Sequence, residues 1–226
     1  MRIGGFQKCS LIDYPGKVCA IVFTLGCNFR CSYCHNPELV FPELFAEAIP
    51  EEEIFSFLAR RMGKLDAVTI TGGEPTLQED LLHFILRIRN LDFLVKLDSN
   101  GSDPDMLESI INSGAVDYIA MDVKAPLEKY QEITNSSIEP GKIKRSIKLI
   151  MNSNVDYEFR TTISRSQLNE DDISEIGGLV KGARLFVLQK YVNPGKNIAG
   201  LKTCSDEEFK QFQRIMSAFV QGCKIR

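Results

Sequence analysis

The sequence lacks the features that mark membrane, secreted and nucleic-acid-binding proteins. None of its apolar runs approaches the roughly 20 residues that a membrane-spanning helix requires, and its first residues show no apolar core of a signal peptide. Lysine and arginine (27) do not outnumber aspartate and glutamate (30), so the net charge of −3 indicates no basic surface for nucleic acid. We therefore expect a soluble, cytoplasmic protein that binds neither membranes nor nucleic acid.

The sequence also lacks the even, regularly spaced cysteines of a disulfide framework. Seven cysteines are present, and Cys9, Cys19, Cys204 and Cys223 are scattered along the chain. Such cysteines are expected to be reduced in the cytoplasm, and buried ones behave as small apolar side chains. They predict neither a disulfide nor a second metal cluster.

The remaining three cysteines form one compact group with the spacing C-x3-C-x2-C, at Cys27, Cys31 and Cys34. This spacing can fold three thiolates around one small inorganic centre. A structural zinc ion or a fully ligated iron–sulfur cluster takes four ligands, so three cysteines leave one coordination position for a substrate. The alternative is a zinc site completed by His35, although a histidine directly after Cys34 is poorly placed to close one tetrahedron.

Strand-like and helix-like segments alternate along the 226 residues. The predicted strands are 18–24, 67–71, 93–97, 116–123, 155–163 and 183–191. The predicted helices begin near 51, 77, 103, 143, 171 and 205. This alternation is typical of an α/β fold with parallel strands, and no linker interrupts it, so we expect a single domain over residues 1–226. Six strands are too few for a closed eight-stranded barrel; an open partial barrel and a doubly wound sheet both fit.

Polar residues and glycines lie at the ends of several predicted strands. Because ligands of parallel α/β proteins bind at the carboxyl ends of the strands, these residues should face the same opening as the cysteine loop. Three of the groups also have a purely structural interpretation: a glycine turn after the second strand, an Asx turn at Asp98, and an ion pair between Arg160 and Glu158. The candidates are Gly72, Gly73, Glu74, Asp98, Ser99, Asp122, Lys124 and Arg160.

The cysteine triplet with Tyr33 before its last cysteine resembles the signature of the radical S-adenosylmethionine (radical SAM) superfamily, and 72–74 resembles its second motif. Segments 3–6, 10–16 and 34–37 resemble the activating enzymes of glycyl-radical proteins, above all those of anaerobic ribonucleoside-triphosphate reductases. The resemblance covers most of the chain and is densest over residues 1–125. It implies a (βα)6 partial TIM barrel, the radical SAM core.

The resemblance also implies cofactors and roles for individual residues. Cys27, Cys31 and Cys34 would ligate three irons of a [4Fe-4S] cluster, and the fourth iron would bind the amino and carboxylate groups of S-adenosylmethionine. The remaining implied contacts of that molecule are Gly72, Gly73 and Glu74 at its amino group, Tyr33 and His35 at its nucleoside, Asp122 and Lys124 beside it, Arg160 at its carboxylate, and Tyr191 or Gln189 at its ribose. Asp98 and Ser99 resemble a segment that helps to hold a monovalent cation, with serine here in place of threonine.

The resemblance implies a radical SAM oxidoreductase that generates a glycyl radical on a partner enzyme, most of all an anaerobic ribonucleoside-triphosphate reductase. A flavodoxin or a ferredoxin would supply the electron. Three alternatives remain open at this point. They are an activase of a pyruvate formate-lyase-like enzyme, a radical SAM enzyme acting on a small molecule, and a zinc-binding interaction protein.

Overall fold

The computed structural model describes residues 1–192 and 200–226, and within them eight strands form one sheet. The strands are β1 (Ile3–Ser10), β2 (Cys19–Thr24), β3 (Ala67–Gly72), β4 (Leu94–Ser99), β5 (Tyr118–Asp122), β6 (Asp156–Ile163), β7 (Phe186–Lys190) and β8 (Cys223–Ile225). The helices are α1 (Glu51–Ala59), α2 (Leu81–Arg89), α3 (Pro104–Ser113), α4 (Tyr130–Thr134), α5 (Pro140–Met151), α6 (Glu170–Leu179) and α7 (Asp206–Ser217).

The strands lie in the sheet in the same order as in the sequence, from β1 to β8. Neighbours from β2 to β8 are parallel. A doubly wound sheet would reverse its strand order at a switch point, so this order identifies the partial barrel among the two predicted architectures. One continuous sheet also supports the expectation of a single domain.

The prediction of six parallel strands is correct for β2 to β7 and incomplete at both edges. β1 pairs antiparallel with β2, and β8 adds a short parallel strand beside β7. Each was missed for a local reason. β1 contains Gly4 and Gly5 and shows no alternation of polar and apolar residues, and β8 has three residues.

The two faces of the sheet differ in chemistry because side chains of a strand alternate between faces. The outer face carries apolar residues such as Val22, Ile70 and Leu97, which are buried against the helices in the main core. The inner face of the barrel carries Asp98, Asp122 and Arg160, whose charged groups contact one another. The inner face is therefore where the chemistry of the chain is concentrated.

A turn after β1 closes the amino-terminal end of the barrel. The amide of Lys17 donates to the carbonyl of Tyr14 at 3.2 Å, and Gly16 takes the positive φ of 71° that a type II turn requires. The ring of Tyr14 packs on Tyr118 of β5, with centroids 5.7 Å apart, and both rings are buried, so they fill the amino-terminal end of the barrel.

Helix boundaries follow the local signals of the sequence. Ser205 and Glu208 form a capping box at the start of α7, where the sequence predicts a helix to begin. α2 begins four residues later than predicted, because Pro75–Leu77 forms a separate 3-10 turn. α4 was not predicted. No helix in the described residues is long and apolar enough to cross a membrane.

Candidate active site at the mouth of the barrel

A cavity of about 210 Å³ lies where the carboxyl ends of the parallel strands meet the cysteine loop. It brings together thirteen of the fourteen site residues predicted from the sequence, and Gln189 as well. Those that line it are Cys27, Cys31, Tyr33, Cys34, His35, Gly72, Gly73, Glu74, Asp98, Ser99, Asp122, Lys124, Arg160 and Gln189. Tyr191 is the exception and is described below.

The cysteine loop follows β2 and is held by backbone contacts from outside itself. The amide of Arg30 donates to the carbonyl of Thr134 at the end of α4, at 2.8 Å. The guanidinium of Arg30 donates to the carbonyl of Phe29 at 2.8 Å. Within the loop, the amide of Cys34 donates to the carbonyl of Cys31 at 3.1 Å. These bonds fix the backbone so that the three cysteines border the same cavity.

Burial raises the pKa of two of the cysteine thiols, Cys27 and Cys31, in the free protein. Burial, with a smaller effect of the nearby Glu74 carboxylate, raises the pKa of Cys27 to about 12. Burial also raises the pKa of Cys31, although Lys124 partly offsets it. The sulfur of Cys27 accepts from the amide of Phe29 at 3.4 Å and from the side chain of Asn100 at 3.8 Å. A metal centre that binds these sulfurs must therefore displace their protons.

The arrangement of the thiols bears on the zinc alternative. Among residues 1–192 and 200–226, no three histidine, cysteine, aspartate or glutamate side chains converge on a position that could hold a single metal ion. A tetrahedral zinc ion needs such convergence, with each sulfur about 2.3 Å from the same atom. An iron–sulfur cluster takes each cysteine on a different iron, so it does not need this convergence.

The glycines of the second motif serve close packing between two backbone segments. An added Cβ at Gly73 would lie 2.0 Å from the carbonyl oxygen of Gly26, and Gly72 has a φ of 119°. The amide of Gly73 donates to Thr24 at 2.9 Å, and that of Glu74 donates to Gly26 at 2.8 Å. The residues after β3 are thereby joined to the start of the cysteine loop. Gly73 makes room for Gly26 and Gly72 for the backbone of Thr24, and both glycines also border the cavity.

The carboxylate of Glu74 connects the ends of β3 and β4. It is buried and accepts from the amide and hydroxyl of Thr76 at 3.1 and 2.6 Å, from the hydroxyl of Ser99 at 2.9 Å, and from the amide of Asn100 at 2.6 Å. Burial raises the pKa of Glu74, and these donors oppose the shift. The Asx turn considered for Asp98 is not what orders this segment, because Ser99 and Asn100 are held by Glu74.

A chain of ion pairs crosses the floor of the cavity. Arg160 contacts Asp98 at 3.1 Å and Asp122 at 2.9 Å. Lys124 contacts the other oxygen of Asp122 at 2.8 Å, and Lys96 contacts the other oxygen of Asp98. Burial alone would raise the pKa of Asp122, but Arg160 and Lys124 outweigh it and hold that pKa well below its usual range. Of these cations, Arg160 and Lys124 border the cavity and can also pair with a carboxylate ligand.

The ion pair between Arg160 and Glu158, the alternative that the sequence offers, is wrong. It rests on the two residues sharing a face of β6. In the structure Glu158 lies deeper in the barrel and pairs with Arg226 at 3.1 Å, while Arg160 pairs with the two aspartates at the mouth.

The aromatic residues at the mouth include two buried hydroxyls without a hydrogen-bond partner among the described residues, those of Tyr33 and Tyr191. The ammonium of Lys124 lies 5.6 Å from the centre of the Tyr33 ring, and the rings of His35 and Tyr191 lie 6.3 Å apart. Gln189 borders the cavity and Tyr191 does not. Of the two residues considered for a ribose contact, the structure therefore favours Gln189.

Sequence reasoning missed several polar residues of the site. Asn28 and Asn100 contact each other at 3.0 Å, and Thr162 borders the cavity beside Gln189. Lys96 is buried beneath Asp98. A signal for Lys96 was present, because a lysine two residues before Asp98 in a strand must share its face. The same signal marked Thr162, two residues after Arg160 in β6, whereas none marked Asn28.

A sequence model of the radical SAM superfamily matches residues 21–177 of the chain. The chain belongs to this superfamily. The match contains the cysteine loop, the glycine turn and the ion-paired floor of the cavity, and it confirms the resemblance inferred from the cysteine spacing.

Relatives of this radical SAM chain include activating enzymes. It is 37% identical over 214 residues to a protein of Methanocaldococcus jannaschii that bears the provisional name glycyl-radical enzyme activating enzyme, covering 92% of this chain and 84% of that protein. It is 31% identical over 155 residues to the pyruvate formate-lyase-activating enzyme of Listeria monocytogenes, covering 62% and 60%. The predicted resemblance to activating enzymes is confirmed.

The fold is shared with solved radical SAM structures. A radical SAM methyltransferase from Sphaerobacter thermophilus superposes with a TM-score of 0.74 at 16% identity, over 96% of this chain and 68% of that one. At this identity the likeness concerns the fold, and it agrees with the predicted partial barrel.

Membership of the superfamily implies a [4Fe-4S] cluster and S-adenosylmethionine, and the residues at the mouth fit both. Three thiols border one cavity. Arg160 and Lys124 also border it and can pair with the carboxylate of an amino acid moiety, and the buried Tyr33 hydroxyl has no partner among the described residues. Cys27, Cys31 and Cys34 are the residues that would hold the cluster.

Proposed function

We propose that this chain is an activating enzyme that reductively cleaves S-adenosylmethionine and generates a glycyl radical on a partner enzyme. The observation that carries the proposal is the three-cysteine cavity at the open end of the barrel. The M. jannaschii relative, aligned over 92% of the chain, supports it independently.

The cofactors supply the difficult chemistry and the chain supplies orientation. When bound, a reduced cluster would supply one electron to the sulfonium of S-adenosylmethionine, and its cleavage would supply an oxidant able to remove hydrogen from carbon. Arg160 and Lys124 would orient the methionine carboxylate, and the turn that Glu74 braces would hold the amino group. The buried rings of Tyr33 and Phe29 exclude water from the cavity.

Hydrogen removal from a glycine of another protein requires the partner to reach the cavity. The amino-terminal end of the barrel is closed by Tyr14 and Tyr118, so a peptide loop would approach at the cysteine end. We infer that the partner is an anaerobic ribonucleoside-triphosphate reductase, on the resemblance of segments 3–6, 10–16 and 34–37. The L. monocytogenes relative favours a pyruvate formate-lyase-like partner as the second candidate.

The proposal is tested by electron paramagnetic resonance. Anaerobically reconstituted protein is reduced with flavodoxin or ferredoxin, the expected donors in the cytoplasm. It is then mixed with S-adenosylmethionine and either candidate partner. A glycyl-radical doublet on one partner is expected. Cys27→Ala should abolish the doublet, whereas Cys9→Ala, at an exposed cysteine outside the cavity, should leave it unchanged.

Three outcomes would contradict the proposal in different ways. No doublet with either partner, beside consumption of a small metabolite, would point to a small-molecule radical SAM enzyme. Stoichiometric zinc without iron would point to the zinc-binding interaction protein. A doublet that survives Cys27→Ala would remove the cysteine cavity from the reaction.

A further inference from the structure

A buried lysine lies under the site and was assigned no role by the sequence. Lys96 is in β4, two residues before Asp98, and only 2% of it is exposed. Its ammonium contacts one carboxylate oxygen of Asp98. A lysine side chain is almost never this buried unless its charge is paired, so the contact with Asp98 accounts for its position.

The protein's own cations occupy every carboxylate oxygen of the floor. Asp98 receives Lys96 on one oxygen and Arg160 on the other. Asp122 receives Arg160 on one oxygen and Lys124 on the other. An aspartate with both oxygens bound to protein cations has little capacity left to coordinate a metal ion.

The hydroxyl of Ser99, beside Asp98, also bonds to groups of the protein. The hydroxyl of Ser99 donates to Glu74 at 2.9 Å and accepts from the amide of Gly101 at 3.0 Å. The sequence resemblance implied that Asp98 and Ser99 help to hold a monovalent cation. They do not fit that role as arranged here, because Lys96 and Arg160 already place two positive charges against Asp98 and would repel a further cation, and the Ser99 hydroxyl bonds to Glu74 and Gly101.

We propose that the Lys96 ammonium is a built-in replacement for this monovalent cation. Resting on the proposed function, the inference makes Lys96 a positioning residue: it holds Asp98, Asp98 holds Arg160, and Arg160 meets the substrate carboxylate. An ammonium tethered to β4 cannot exchange with solvent, so binding of S-adenosylmethionine is independent of sodium and potassium.

The test compares wild type with Lys96→Met, which keeps the length of the side chain and removes its charge. Affinity for S-adenosylmethionine is measured by equilibrium dialysis of reconstituted protein in potassium, sodium or choline chloride at equal ionic strength. Wild type should bind equally in all three salts. Lys96→Met should bind at least about tenfold more weakly in choline chloride, since a hydrogen bond between charged groups is lost, and potassium should restore most of that affinity.

A second readout uses the protein without cluster or substrate. The melting temperature of wild type should be the same in the three salts. That of Lys96→Met should fall by about 5 °C in choline chloride and recover in potassium chloride. Lys96→Arg, which keeps the charge, should behave as wild type, and Lys64→Met, at an exposed turn, should change neither readout.

Either of two results would overturn the inference. One is a wild type that loses affinity or melting temperature when sodium and potassium are removed. The other is Lys96→Met indistinguishable from wild type in choline chloride. Neither depends on a partner enzyme, so a missing glycyl radical would refute the proposed function without touching this result.

Discussion

Both ends of the barrel contain a tyrosine, a carboxylate and an arginine, but the hydrogen bonds of these residues are complete at only one end. At the amino-terminal end, the hydroxyl of Tyr118 donates to Glu158 at 3.1 Å, and Arg226 reaches the other oxygen of the same carboxylate at 3.1 Å. At the mouth, the hydroxyl of Tyr33 is equally buried but has no partner among the described residues. The tyrosine, carboxylate and arginine of the amino-terminal end therefore bond to one another. At the mouth, the buried tyrosine hydroxyl is left for a ligand.

The difference lies in whether the hydrogen bonds of an end are completed within the chain. Buried polar groups without partners cost free energy, so an unpartnered hydroxyl beside the Lys124 ammonium marks a place that a ligand completes. The closed end needs no such ligand. Substitutions at the closed end should therefore change stability alone, and substitutions at the mouth should change ligand binding as well.

The largest effect is expected for Gly73→Ala at the mouth. The added Cβ would lie 2.0 Å from a backbone oxygen of Gly26, which cannot move without shifting the cysteine loop. We expect a loss of about 3 kcal/mol in the free energy of unfolding, measured in urea, together with loss of iron after reconstitution. The matched control is Gly178→Ala at an open position of α6, which should stabilise by about 0.5 kcal/mol. Equal behaviour of the two variants would refute the close-packing role of Gly73.

The next effect is expected for Glu158→Gln at the closed end. This change weakens the bonds with Tyr118 and Arg226, and because Arg226 is half exposed the cost should be about 1–2 kcal/mol in the free energy of unfolding. Affinity for S-adenosylmethionine should stay within about twofold of wild type, corresponding to well under 1 kcal/mol. A variant of normal stability and weakened binding would show that the closed end takes part in the site.

Acid should lower the free energy of unfolding because of Asp122 at the mouth. Although burial opposes it, the pairing with Arg160 and Lys124 depresses the pKa of Asp122 in the folded protein. The resulting stability is present above the unfolded pKa of about 4 and is lost as the pH falls through that value towards the folded pKa. Urea unfolding between pH 7 and pH 3 should show Asp122→Asn less stable at neutral pH, with a shallower decline in acid. If the stability of wild type and of Asp122→Asn declined in parallel as the pH falls, a depressed pKa of Asp122 would be contradicted.

The smallest effects compare the two tyrosines. Tyr118→Phe removes a hydrogen bond to Glu158 and should cost about 1 kcal/mol in the free energy of unfolding, with no change in ligand affinity. Tyr33→Phe removes a hydroxyl without a partner in the described residues and should cost no stability in the free protein. Its affinity for S-adenosylmethionine should fall. If Tyr33→Phe destabilised the free protein as much as Tyr118→Phe, the contrast between the two ends would not hold.

The sequence was most informative where the signal is local. The cysteine spacing, the six central strands and the polar residues at the strand ends could all be read from neighbouring residues. The partners of those residues could not. Glu74 bonds to Ser99 and Asn100 of another strand end, and Gly73 packs on Gly26 across the sheet. These pairings depend on strand order, which the alternation of strands and helices left open.

Two further features were hidden for physical reasons. β1 does not alternate, because Gly4 packs closely on Leu25 and so has no side chain to show a pattern. A lysine in a strand is normally exposed, and the burial of Lys96 follows only from its pairing with Asp98 inside the barrel.

The account depends most directly on the metal centre that the three cysteines are proposed to hold. The deciding measurement is iron and sulfide analysis with Mössbauer spectroscopy of the anaerobically reconstituted protein, before and after addition of S-adenosylmethionine. The account predicts equal iron and sulfide in a [4Fe-4S] cluster, and one iron whose signal alone changes when S-adenosylmethionine binds. Zinc in place of iron, or a cluster whose irons are all unaffected by S-adenosylmethionine, would contradict it.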